Sequence, residues 1–163
     1  MGVSCEVGRA GLRSNTIGSG RPRAAIEVGP RFPIDIPAPN TLESMITLPQ
    51  LEEFFEATRQ TYESGRSKWR VDDECRWSYF FVDTDREKLM PVATHLSSLG
   101  YEFIGTLDPA PDDVIPVFYL RMDRIQRHSP VSLNELNREL YVIAEQFGIE
   151  SYDGMDVGAV DGP

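Results

Sequence analysis

From Thr47 onward the apolar positions switch between a helical and a strand-like spacing. Leu48, Leu51, Phe54, Phe55, Thr58 and Tyr62 recur at the helical interval. They stand behind Thr47-Leu48-Pro49-Gln50, which reads as a capping box with proline in the first turn, and Gly65 is placed to end the helix. Trp77–Val82 is a dense aromatic and β-branched run, a strand by composition, and Arg70–Arg76 before it reads as a loop or a frayed strand start. Thr84-Asp85-Arg86-Glu87 reads as a second capping box. The helix behind it has Leu89, Val92, Ala93, Leu96 and Leu99 on one face and Gly100 at its C-terminal cap. Pro91 conflicts with that helix, and either kinks it or marks Met90-Pro91 as its start.

Tyr101–Thr106 follows as a short strand, then a turn-rich stretch from Leu107 to Asp113. Ile115–Asp123 is the longest strand candidate, with Pro116 near its beginning. Ser132-Leu133-Asn134-Glu135 reads as a third capping box, opening a helix with Leu133, Leu136, Leu140, Ile143, Ala144 and Phe147 that ends at Gly148. Glu150–Val157 reads as a last strand. The order is a helix followed by β-α-β-β-α-β, the split βαβ pattern of a ferredoxin-like α+β fold with an extra N-terminal helix. Both crossover helices are expected on one face of a four-stranded antiparallel sheet. The first and third strands are the most hydrophobic and are expected to lie centrally and parallel to each other. Hydrophobic residues make up 40% of the chain, enough for one modest core.

Residues 1–41 break this pattern. They are rich in Gly, Arg, Ser and Pro and hold too few large apolar groups to offset the entropy of ordering. They are expected to form a disordered leader with one extended stretch at Ala24–Val28, and residues 42–163 to form the folded domain. No stretch resembles a signal peptide or a membrane span, and Glu6 stands where a myristoylation motif needs Ser or Thr. A cytoplasmic protein is expected.

The net charge of −10 is unevenly spread. Residues 1–41 carry +2, and the remainder carries −12. An acidic domain repels phosphate backbones, so direct nucleic-acid binding is not expected, and basic partners are favoured. Trp77, Tyr79 and Phe81 share one strand face, an arrangement that RNA-recognition modules use for stacking. Here the glycine–aromatic signature is missing and the charge has the wrong sign, so burial in a core or an interface is expected. Cys5 and Cys75 have neither disulfide-framework nor metal-site spacing. Neither a phosphate loop nor a zinc-binding His pair occurs, and no cofactor, metal or catalytic set is expected.

Two segments remain as candidate chemistry. His128 stands beside Ser129 and near Ser132, and a hydrolytic reading would join it to Asp153 or Asp156. Ser132 is more simply a helix cap. Asp153 and Asp156 flank Gly154-Met155, a spacing that could hold a hard cation, organise a turn behind Tyr152, or present carboxylates to a partner.

The stretch from Trp77 to Gly158 resembles the regulator of ribonuclease activity B family. The resemblance rests on Ser78-Tyr79-Phe80-Phe81 before a capped helix, on Leu99-Gly100-Tyr101-Glu102 at that helix's end, and on the Leu140–Phe147 helix running into Tyr152-Asp153-Gly154. It implies a ferredoxin-like domain without catalytic activity that binds and restrains an RNA-degrading endonuclease through a basic scaffold region. Regulators of that kind continue after Tyr-Asp-Gly with Trp-Gly, where this chain reads Met155-Asp156. The partner-binding residues expected on this reading are His128, Tyr152, Asp153, Gly154 and Asp156. Two alternatives stand beside it. One is a small metal-dependent or hydrolytic enzyme built on His128, Asp153 and Asp156. The other is a homodimer that buries an open sheet face with Trp77 and Tyr79 at the interface.

Overall fold

The computed structural model describes residues 45–161. The expected leader and its stretch at Ala24–Val28 lie outside them. The elements are α1 (Leu48–Glu63), β1 (Cys75–Asp83), α2 (Arg86–Ser98), β2 (Glu102–Leu107), β3 (Phe118–Gln126), α3 (Pro130–Gln146) and β4 (Ser151–Gly158). The four strands form one sheet in the order β2-β3-β1-β4. This is the α+β, ferredoxin-like arrangement with an N-terminal helix.

β1 and β3 are central but antiparallel, correcting the parallel pairing expected from the sequence. The reason is topological. A helix crossover returns β2 in the direction of β1, and the β2–β3 hairpin then reverses the chain, so β3 opposes β1. β4 pairs antiparallel with the other side of β1, and β2 with β3.

Alternation along β1 divides the sheet into two unlike faces. Trp77, Tyr79 and Phe81 are fully buried beneath the helices, with Leu120 and Met122 of β3 and Met155 and Val157 of β4 on the same side. Phe55 of α1 stacks on Trp77 at 5.9 Å between ring centroids, and Tyr101, just after α2, meets Tyr79 edge-on at 5.7 Å. Leu89, Val92 and Leu96 of α2 join the same core, and α1 packs on α3. Burial of Trp77 and Tyr79 removes them from any homodimer interface on the open face. Arg76, Ser78, Phe80 and Val82 point the other way.

Several local expectations change for identifiable reasons. Thr47 caps α1 in the capping box that its sequence predicts. α2 is capped one residue later than expected, by Asp85, whose carboxylate accepts the Glu87 N–H at 2.9 Å. Pro91 lies within a continuous α2, exposed on its outer side. α3 starts a turn before the expected box: Ser129 is the N-cap, Pro130 occupies the first turn, and Ser132 is the reciprocal partner. Proline's φ is already set for a helix start, which favours this earlier frame. Leu99 is the exposed C-cap of α2 and not part of its buried face, and Tyr62 is exposed as well. β3 begins at Phe118, three residues beyond the expected start, leaving Pro116 in the loop.

Candidate functional site

His128 sits in the short connection between β3 and α3. Its Nε2 lies 3.3 Å from the Tyr79 hydroxyl and its Nδ1 3.0 Å from Ser132 Oγ, and its ring stands edge-on to Trp77 at 5.3 Å. The Tyr79 hydroxyl donates to Gln126 Oε1 at 3.1 Å. Burial, aided by the nearby charge of Arg124, pushes the imidazole down to about 4, so it is neutral at pH 7. Ser132 Oγ accepts the Ser129 N–H at 2.9 Å, so this hydroxyl belongs to the helix cap. The Ser–His pair is therefore a structural knot at the start of α3, and among the described residues no carboxylate hydrogen-bonds to its imidazole to orient it as a base.

The Tyr152–Asp156 segment forms most of β4. Tyr152 is buried on the helix face, and its hydroxyl donates to Asn137 Oδ1 at 2.7 Å. Its ring also packs against Phe81 at 5.2 Å and edge-on to Tyr141 at 5.0 Å. Tyr141 in turn accepts the Ile46 N–H at 3.1 Å, so this aromatic ladder ties β1, β4, α3 and the entry to α1 together. Asp153 is the extra residue of a bulge: Gly154 opposes Phe80 and Tyr152 opposes Phe81, with nothing opposite Asp153 on β1. Gly154 has φ of 114°, a backbone state that favours glycine, which explains the Asp-Gly pair at this place. Asp156 opposes Ser78 on the open face, and its Oδ1 accepts the N–H of Val157 at 2.8 Å.

This geometry separates the residues of the enzymatic alternative. His128 contacts Tyr79 on the helix face, whereas Asp156 opposes Ser78 on the other, so the sheet lies between them. No group of three potential metal-ligating side chains occurs among the described residues. Of the five expected partner-binding residues, Tyr152 and Gly154 are buried, while His128, Asp153 and Asp156 are half-buried.

The open face holds a charge network that sequence reading missed. Asp123 of β3 is only 1% exposed, and Arg121 grips it with two parallel bonds, Nε to Oδ1 at 2.8 Å and Nη2 to Oδ2 at 2.9 Å. Arg76 Nη1 reaches Asp123 at 3.5 Å and Glu102 at 3.0 Å. Hydrogen bonding to Asp123 holds the Arg121 guanidinium above its ordinary range, and the charges of Asp123, Asp156 and Glu102 add to it. The network thus links β1, β2, β3 and β4 across one face. Its only local sequence signal is Arg121-x-Asp123, two residues that alternation puts on the same side of a strand.

A second missed carboxylate is Asp83, also buried. Its Oδ1 accepts the Asp85 N–H at 2.7 Å and its Oδ2 accepts the Glu150 N–H at 2.9 Å, joining the start of α2 to the chain before β4. Cys75 is buried as well, and desolvation pushes its thiol up to about 12, so it is not a thiolate at neutral pH.

What the sheet and its polar groups define is a small α+β domain whose buried charges serve architecture and whose accessible carboxylates are spread over the outside. The chain belongs to the regulator of ribonuclease activity B family, whose model matches residues 55–157. The match begins within α1, so it covers more of the fold than the stretch from Trp77 that first suggested it. No curated protein matches the chain.

Proposed function

We propose that this protein is a non-catalytic regulator that acts by binding another protein, a ribonuclease, in the cytoplasm. The family match over residues 55–157 carries the reading. It is supported by the division of His128 from Asp156 across the sheet and by the spending of Ser129, Ser132 and Asp83 on backbone groups. Among the described residues no helix is long and apolar enough to cross a membrane.

On this reading the negative charge of the domain draws in a basic region of the ribonuclease, speeding encounter and selecting the partner. Asp153 and Asp156 supply carboxylates along β4, held in place by the buried Tyr152 and by the turn at Gly154, while His128 helps to set the start of α3. The test is binding of the full chain to purified ribonuclease of the same host, measured by calorimetry at low and high salt. Affinity should fall at least about fivefold in an Asp153→Ala, Asp156→Ala double variant, an effect of roughly 1 kcal/mol, and should weaken with salt. Binding that ignores both changes would rule out the β4 carboxylates as the contact. Absence of any binding would rule out the ribonuclease.

A further inference from the structure

The two edges of the sheet are not alike. Every residue of the β4 edge is buried or half-buried. β2, at the other edge, has another strand on one side only among the described residues, and it is exposed along most of its length. Phe103, Ile104 and Leu107 of β2 are exposed large hydrophobics, and the hairpin that follows adds Val114 at 95% and Ile115 at 60% exposure. A soluble domain ordinarily shields such an edge, because unpaired strand backbone flanked by apolar side chains recruits other chains. The β2 bulge, in which Ile104 is the extra residue between Phe103 and Gly105, shortens the regular edge and turns an additional hydrophobic side chain outward.

The charges carried by β2 and its hairpin have one sign. From Glu102 to Leu120 the chain holds Glu102, Asp108, Asp112 and Asp113 and no Lys or Arg. Glu102 is engaged by Arg76, and Asp113 accepts the Ala110 N–H, but the three aspartates of the hairpin are all exposed and keep their field. A second copy of this chain would bring the same carboxylates against them, and an anionic membrane or nucleic acid would be repelled in the same way.

We propose that the β2 edge and its hairpin form a docking surface for an extended, basic peptide segment whose apolar side chains alternate with lysine or arginine. The apolar side chains settle against Ile104, Leu107, Val114 and Ile115, while the basic ones face Asp108, Asp112 and Asp113. The six residues of β2 span about 20 Å, enough to align a segment of similar length. This inference rests on the proposed role as a protein-binding regulator and assigns that role a second surface, on the opposite edge from Asp153 and Asp156.

The test uses the full chain labelled with nitrogen-15 and a synthetic octapeptide of alternating lysine and valine, with a glutamate–valine octapeptide as control. The basic peptide should shift amide resonances within Glu102–Leu107 and the hairpin, and the acidic one should not. An Asp108→Asn, Asp112→Asn double variant, changed only at exposed positions, should bind the basic peptide about fivefold more weakly, and Ile104→Ser should weaken it as well. Shifts confined to Tyr152–Asp156, equal binding of both peptides, or a concentration-dependent dimer whose interface holds β2 would each overturn the proposal. Ribonuclease binding that survives the hairpin variants but fails with the Asp153 and Asp156 changes would sink this surface alone. Loss of ribonuclease binding altogether in the unmodified protein would instead remove the functional reading beneath it.

Discussion

At the residue scale, His128 shows how a side chain suggestive of catalysis is used for architecture. Its two ring nitrogens lie near Tyr79 and Ser132 and its edge meets Trp77, so a proton added to it must be accommodated in a half-buried, largely apolar setting. The imidazole stands at about 4 in the folded chain against an ordinary value of 6.5. Between those values the unfolded chain binds more protons than the folded one, so stability rises with pH through this window and is lost as pH falls through it. Urea midpoints measured from pH 7 to pH 4 should therefore decline more steeply for the parent chain than for a His128→Gln variant, which has no titrating ring. Parallel declines would assign the acid sensitivity elsewhere. That His128 lies near a helix start was legible in His128-Ser129-Pro130. That its neighbour would be Tyr79, 49 residues earlier, was not.

At the scale of elements, the turn and cap residues were the most readable part of the chain. Gly65, Gly100 and Gly148 all adopt positive φ just beyond the helices they were expected to end. The frames of α2 and α3 slipped because several Ser, Thr and Asp residues compete for the same capping role, and only the packed helix decides among them. Pro91 illustrates a cost carried within an element. It cannot donate to the Glu87 carbonyl one turn earlier, yet Leu89, Val92 and Leu96 are fully buried around it and hold α2 together. A Pro91→Ala variant, changed at an exposed site, should be more stable by up to about 3 kcal/mol. Thermal denaturation followed by circular dichroism would register the gain, and a lower midpoint would show that the proline fits a local distortion of the helix.

At the scale of the whole molecule, the sheet separates an apolar core from a face tied by charges. Asp123 is the hub of that face, shared by Arg121 of its own strand and Arg76 of β1. Removing it leaves two guanidinium groups without the buried carboxylate they surround, and breaking such a pair costs about 3 kcal/mol. An Asp123→Ala chain should show a correspondingly lower unfolding free energy in urea, while the exposed Asp108→Asn should leave it nearly unchanged. Equal effects would mean that the network contributes nothing beyond surface charge. The domain thus keeps its firmest charges within the sheet, while the carboxylates of the β2–β3 hairpin stay exposed.

Periodicity, caps and aromatic runs determined the number, kind and order of the elements from Thr47 onward, because these depend on residues only a few positions apart. The family followed from short motifs in a fixed order. Strand direction within the central pair, the reach of Glu150 to Asp83 and of Arg76 to Asp123, and the division of His128 from Asp156 depended on contacts between residues distant in the chain. Alternation says that Trp77, Tyr79 and Phe81 share a face, but only the arrival of Phe55, Tyr101 and Tyr152 makes it the face of the hydrophobic core. Tertiary packing decided which carboxylates became structure and which were left outside, since a charge enters the interior only where an arginine or backbone N–H is there to meet it.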